Sequence, residues 1–454
     1  MLKDKNKSKQ SVKVISDNFR KMSILSLFFS AALTFCLIPN ESSSRSDVIG
    51  EGTSTTLREG EGRFRSRVRD RYNPAAGGRF QSNGYSSRPS LMKRKSDPFG
   101  AYVWSGLVDL PIWSLRSTVE MLHRSGVRQT RILLSPRSYA TYFAGQEDRC
   151  RNSTETYLKC LVSQPEFENA FGSLGQKTLF FTTYDSVASQ GGYGSGYLDR
   201  SFLESHKEAI VNEYAELTAH LLTKYYRSEV TVILGNWEGD NQVYCGSTYG
   251  YLVDSSFKAS CDQSYERGTY GSSRSVQDGL NSLLYWAELR QEGIEKGYSL
   301  FASYFPRVTT RSHVYQVLEV NNVLLMKEAG YKDLLHSDQQ ILSKFDGLSF
   351  SSWEINHEVV QNPDRARAIW QELEQLAAGK PIIIGEYGFD SQSENAGENL
   401  RRATSYWNEK FKEGSIHSAW IWEGVNSATG PSRYGLFNRQ GDPQLYQDFL
   451  RGLQ

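Results

Sequence analysis

The chain is expected to fold as a closed α/β barrel of eight parallel strands, a (β/α)8 architecture, preceded by a segment that does not join it. Three observations carry this expectation. From Phe99 onward, short apolar runs alternate with helical patterns. Those runs are continuously apolar, as strands buried on both faces are, rather than alternating polar and apolar. Two of them end in Gly and reach a glutamate shortly afterwards, as strands delivering side chains to one rim do.

Taken in order, the expected strands are 101–104, 130–134, 178–183, 229–236, 299–304, 347–350, 381–385 and 418–422. Between them, 3.6-residue periodicity predicts helices at 202–226, 276–296, 313–329, 365–378 and 398–411, with a short one at 164–171. A closing segment, 442–450, carries Pro443 at a first-turn position and is expected to form the last helix. Eight such units favour a barrel over an open doubly wound sheet, and no GxGxxG follows the first strand. Long, Gly- and Tyr-rich loops at 135–161, 184–201 and 239–274 follow strands two, three and four, where a barrel walls its cleft.

The first 38 residues read as an export signal. A Lys-rich stretch precedes the apolar run from Ile24 to Ile38, which has the length of a signal-peptide core and is short for a bilayer span. An uncleaved membrane anchor stays open. Cys36 ends this run with Leu33 ahead of it, as in the lipid-bearing cysteine of a bacterial lipoprotein. Phe35, however, stands where such a site has a small residue, so lipidation and a plain cleaved signal both stay open.

Residues 39–97 are rich in Ser, Gly and Arg and hold too few apolar side chains to repay ordering, so a disordered basic linker is expected. Such a tether could touch anionic headgroups or serve only as a solvated spacer. The barrel domain is then 98–454. The net charge of +1 hides this division. Residues 1–57 hold 8 basic and 5 acidic side chains and residues 58–95 hold 11 and 3, leaving the remainder at −10. That acidic part carries no nucleic-acid footprint.

Four of the five cysteines form two local pairs, Cys150 with Cys160 and Cys245 with Cys261, each within one loop. Two disulfides and an oxidising compartment are expected, and no CxxC spacing suggests zinc. HExxH, Walker and GxSxG patterns are missing too, so neither a metal, a cofactor nor a serine nucleophile is expected.

The chemistry rests on two glutamates. Glu238 ends Val230-Thr-Val-Ile-Leu-Gly-Asn-Trp-Glu238, and Glu386 lies in Pro381-Ile-Ile-Ile-Gly-Glu386-Tyr-Gly. Placed on strands four and seven, they would face each other across the mouth. Two carboxylates in that relation suit glycoside cleavage: one protonates the leaving oxygen while the other attacks the anomeric carbon. Aromatic residues make up 13% of the chain, which suits rings that stack on sugar faces.

This pattern resembles the clan of retaining (β/α)8 glycosidases that includes the cellulase-like family and its xylosidase-like relatives, from about Phe99 to the C-terminus. The resemblance implies that Glu238 is the acid/base and Glu386, in its Gly-Glu-aromatic-Gly setting, the nucleophile. It implies that Arg131 lies near the nucleophile, that Asn236 supports the acid/base, and that Trp422 floors the sugar subsite. Trp237, Trp353, Tyr184 and Glu423 complete the expected substrate-binding set, and the implied partner is an oligo- or polysaccharide. Three departures stand out. Trp237 separates Asn236 from Glu238; strand six ends Ser351-Ser-Trp353 where the clan has His-x-Tyr; and strand three ends Thr182-Thr-Tyr-Asp185 without a His. Two alternatives stay open, a carbohydrate-binding barrel without activity and a structural surface protein.

Overall fold

The computed structural model describes residues 90–91, 97–103, 115–136, 148–171, 175–190, 196–338, 340–426, 433–438 and 440–454. The signal segment, Cys36 and almost all of the linker lie outside the described residues.

Eight strands close into a parallel barrel in sequence order. They are β1 (Phe99–Val103), β2 (Thr130–Leu134), β3 (Thr178–Thr183), β4 (Thr231–Gly235), β5 (His313–Val320), β6 (Gly347–Ser351), β7 (Ile382–Tyr387) and β8 (Ser418–Ile421). Closure comes from β1, which pairs with β2 and, through Phe99 to Ala419, with β8. Outer helices follow the strands: α1 (Leu115–Arg124), α2 (Pro165–Phe171), α3 (Lys207–Tyr225), α4 (Val276–Tyr304), α5 (Leu324–Ala329), α6 (Pro363–Ala377), α7 (Ala396–Lys412) and α8 (Tyr446–Gly452). This is a TIM barrel.

Continuous apolar runs are needed because each strand has two buried faces. Along β4, Ile233 joins the barrel interior with Phe180, Tyr315, Val317, Ile383 and Trp420. Its neighbours Val232 and Leu234 pack outward under the helices. Helix α6 starts where Asn362 accepts from the Arg365 amide with Pro363 in the first turn, a clear stop-and-start signal. Gly293 and Gly297 on α4 let its backbone approach α3, because a Cβ at either would press on the Val211 or Ala215 carbonyl.

Strand five differs from expectation. Residues 299–304 are the last turns of α4, and the strand is His313–Val320, within the stretch expected to be a helix. The buried positions Ile294, Gly297, Tyr298 and Phe301 continue the α4 helical spacing without a break. In β5, Val314, Val317 and Leu318 also fit a helical stripe, but β-branched residues and burial on both faces make it a strand. The expected helix 202–226 is interrupted at His206, between Arg200–Ser205 and α3. The last helix starts at Tyr446; Pro443 instead bridges to Phe437.

Both expected disulfides are present, Cys150–Cys160 and Cys245–Cys261, with Cα atoms 5.5 and 5.8 Å apart. They pin the loops after β2 and β4, and such bonds persist in oxidising compartments. Among the described residues no helix is long and apolar enough to cross a membrane.

Candidate active site

The inward face of the barrel changes character at its C-terminal end. On β5 the inward series Tyr315, Val317 continues to Glu319, and on β3 Phe180 continues to Thr182. With Arg131 of β2 and Ser349 of β6, these form a polar layer above the apolar one. Arg131 is fully buried and makes five hydrogen bonds. Its Nη1 and Nη2 grip Glu319 bidentately at 2.8 and 2.9 Å, and its Nε donates to Thr182 Oγ1 at 2.9 Å. The carbonyls of Gly385 and Asn236 accept the rest, at 2.8 and 3.3 Å. Ser349 donates to Glu319 at 2.6 Å. Position 385 has to be glycine, since a Cβ there would collide with the Glu319 carboxylate and the Ser349 hydroxyl.

Above this layer sit the two glutamates, each 1% exposed. Strict alternation would send Glu386 outward beside Ile384. Register shifts between Phe350 and Ser351 and between Ile384 and Tyr387 instead turn it into the mouth, opposite Ser351. Glu238 has φ of 34° and ψ of 63°, a left-handed conformation that is strained for a side chain of this size. Its amide donates to Glu319 Oε1 at 3.2 Å, which fixes that conformation from below.

One hydroxyl joins the pair. Ser351 Oγ lies 2.8 Å from Glu238 Oε1 and 3.3 Å from Glu386 Oε2, which bounds the separation of those oxygens at about 6 Å, under the inverting range of roughly 6.5–9.5 Å. Asn241 donates to the other Glu238 oxygen, and Trp353 Nε1 donates to Glu386 Oε2 at 3.4 Å. Glu386 Oε1 has no hydrogen-bond partner among the described residues and stands 3.8 Å from Arg131 Nη1.

Burial raises the Glu238 carboxyl to about 7, with the Ser351 and Asn241 hydrogen bonds holding it back and the Glu319 charge adding to it. Burial, and then the Glu238 charge, push Glu386 well above the usual carboxylate range, opposed by Arg131. Two like charges this close cannot both ionise readily, so the pair titrates as a coupled unit.

Raised acids alone would not single out this place. Burial also lifts Glu354 to about 7 and Glu213 to about 8. Yet Glu354 accepts from the Val323 and Leu325 amides, capping α5, and Glu213 accepts from Leu158 and Ser186. Their oxygens hold the fold together. A cavity of about 270 Å³ lined by Glu374, Lys380, Pro381 and Ser415 lies at the opposite, N-terminal end of β7, away from these converging groups.

The remaining expected site residues divide. Half-buried Trp422 packs edge-on against Tyr102 at 4.7 Å, and half-buried Trp353 against Tyr434 at 5.5 Å, both beside the mouth. The Asn236 amide is engaged by the β5 backbone, donating to the Glu319 carbonyl at 3.0 Å and accepting from its amide at 2.9 Å. Asn241 is the amide that touches Glu238. The Tyr184 hydroxyl accepts from the Trp237 amide at 3.1 Å and donates to its carbonyl at 3.3 Å, so the two fix each other. Glu423 is buried, with its backbone tied to Tyr434 and Leu436. Glu319, Ser351 and Asn241 were not singled out from sequence. The one signal for Glu319 was an acid inside an apolar run, Val317-Leu-Glu319-Val320. Among the described residues there is no group of three or more His, Cys, Asp or Glu able to hold a metal.

Solved structures share this fold. The exo-β-1,4-mannosidase Op5Man5 from Opitutaceae bacterium strain TAV5 matches with a TM-score of 0.50 at 11% identity, over 81% of this chain and 62% of that one. The chain therefore spans less than two thirds of that protein's length. The family 1 β-glucosidase from Thermotoga maritima matches with a TM-score of 0.46 at 11% identity, over 80% of this chain and 98% of that one. A GH5-4 broad specificity endoglucanase from Clostridium acetobutylicum matches at 0.44 and 11%, over 78% and 96%. At such identity the likeness to the mannosidase is one of fold. No protein-family model and no curated protein matches the sequence.

Proposed function

We propose that the chain is a glycoside hydrolase working by double displacement. A Glu386 oxygen attacks the anomeric carbon as the glycosidic bond breaks, and Glu238 gives its proton to the leaving oxygen. In the second half Glu238 takes a proton from water, whose oxygen attacks the same carbon and releases Glu386. The observation that carries this reading is the single serine hydroxyl within hydrogen-bond reach of both acids, because it brings one oxygen of each within about 6 Å of the other, nearer the retaining than the inverting spacing. Glu386 Oε1, which has no hydrogen-bond partner among the described residues and faces Arg131 at 3.8 Å, supports the choice of nucleophile.

Trp422 and Trp353 are the sugar-stacking walls in this reading, with Trp237 and Glu423 beside them. Arg131 and Asn236 act on the acids through the protein rather than on the sugar, and Tyr184 holds the Trp237 backbone. The two disulfides support export, and the sequence of the first 38 residues supports a membrane or lipid tether at Cys36.

One observation favours a second reading, a carbohydrate-binding barrel without turnover: Arg131 gives its bidentate hydrogen bonds to Glu319 and none to Glu386, from which it stands 3.8 Å away. Incubating the full chain with a panel of aryl glycosides and oligosaccharides separates the two. Turnover that disappears in Glu238→Ala and Glu386→Ala supports the hydrolase; binding without turnover supports the alternative.

A further inference from the structure

The glycosidase reading requires one acid to be protonated and the other ionised, and the usual way to enforce this is a cation on the nucleophile. Here Arg131 stands 3.8 Å from Glu386 Oε1, but it gives the nucleophile no hydrogen bond. The guanidinium of Arg131 is gripped by both Glu319 oxygens, and its other N–H groups go to Thr182, Gly385 and Asn236. Besides Arg131, each acid takes one fixed donor, Asn241 on Glu238 at 2.5 Å and Trp353 on Glu386 at 3.4 Å. The remaining group is the Ser351 hydroxyl on β6, which reaches both.

We propose that Ser351 is a positioning residue that keeps the shared proton of the pair on Glu238 by donating its own hydrogen bond to the Glu386 carboxylate. A hydroxyl has one proton to donate and lone pairs to accept. In the productive arrangement Glu238 donates to Ser351 Oγ, and Ser351 donates to the Glu386 carboxylate. In the other, Glu386 donates to Ser351, which donates to Glu238. Passing the Glu238 proton to Ser351 while the Ser351 proton moves to Glu386 converts the first into the second. Charge and atoms balance, and no co-reactant enters. This inference rests on the glycosidase reading and names the group that divides the roles within it. The charged groups facing the hydroxyl are Glu238 from the β4 rim and Glu386 from β7, with Glu319 of β5 and Arg131 of β2 beneath.

The test uses the full chain with Ser351→Ala, Ser351→Thr and Glu319→Gln. The first readout is the pH profile of kcat/KM on an aryl glycoside. The second is an infrared titration of the protonated carboxyl band, assigned by its loss in Glu238→Gln and Glu386→Gln. Removing the hydroxyl takes a donor from the ionised acid, so the acid limb moves up by about one pH unit. The Ser351→Thr form restores it. Releasing Arg131 toward the pair in Glu319→Gln moves the limb down. Opposite shifts, mirrored in the infrared titration, are expected; a residue that only fills space lowers melting temperature or activity without moving either. Coincident limbs in wild type and Ser351→Ala, or no restoration by threonine, overturn the proposal while leaving the hydrolase standing. Infrared shifts as described in a chain that turns over no glycoside overturn the hydrolase and leave the proton sharing standing.

Discussion

The Asp240–Asp333 pair and the Glu238–Glu386 pair are both buried like-charge pairs, and Asp240 lies two residues from Glu238, yet their oxygens are treated in opposite ways. Asp240 accepts from the Leu334 amide at 3.0 Å and the Asn321 amide at 3.1 Å. Asp333 takes the His336 amide and ring nitrogen, both at 2.7 Å. Every oxygen in that pair has a partner from the chain. In the glutamate pair one oxygen has no hydrogen-bond partner among the described residues, and a single hydroxyl serves two others. Burial and mutual repulsion are common to both pairs; what separates a site from a brace is whether the lone pairs are already committed.

Substitutions can break this contrast. The largest effect is expected in the open pair. Glu386→Gln and Glu238→Gln should each lower kcat on an aryl glycoside by about 10²- to 10⁴-fold, with the melting temperature unchanged or raised because a buried charge is gone. A fall in stability in place of activity would make the glutamates a brace as well.

Next comes the layer beneath. Gly385→Ala should destabilise the fold by about 3–5 kcal/mol in denaturant titration, because its Cβ forces Glu319 off Arg131 and strands a buried charge. An unchanged midpoint would mean that the ion pair adapts and does not fix the floor of the site.

In the closed pair the effect should appear in stability alone. Burial, and then the Asp333 charge, raise Asp240 to about 8. The folded state thus keeps a proton that the unfolded chain releases near pH 4, so stability falls as pH rises between about 4 and 8. Asp240→Asn should remove about one proton's worth of that slope, about 1.4 kcal/mol per pH unit, and leave the shape of the kcat profile alone. The smallest effect is expected for Trp353→Phe, which keeps a ring beside the mouth but removes the indole donor to Glu386. A loss of less than about tenfold in kcat/KM is expected, and a complete loss would place Trp353 in the chemistry itself.

The parts of this architecture that could be read in advance are those where one physical signal dominated. Ile382–Ile384 and Val232–Leu234 are apolar on both faces and bounded by glycine, so their strands, and the glutamates beyond them, were legible. Strand β5 was not, because Val314, Val317 and Leu318 satisfy a helical stripe as well as a strand. Losing that strand also lost Glu319, the partner that occupies Arg131. Ser351 was visible as a departure from His-x-Tyr, but its role needed the register shift beside Glu386, which no periodicity announces. Asn236 looked like the supporting amide from its place in the run; the left-handed turn at Glu238 gives that contact to Asn241 instead.

The central claim is that two glutamates at one barrel mouth share a single anomeric carbon. It is tested most directly by following hydrolysis of an aryl glycoside by the full chain with proton NMR and reading the configuration of the first-formed sugar. The account predicts a product with the configuration of the substrate, appearing before mutarotation, and its loss in Glu386→Gln. A first product of opposite configuration, or undiminished hydrolysis in that variant, would contradict it.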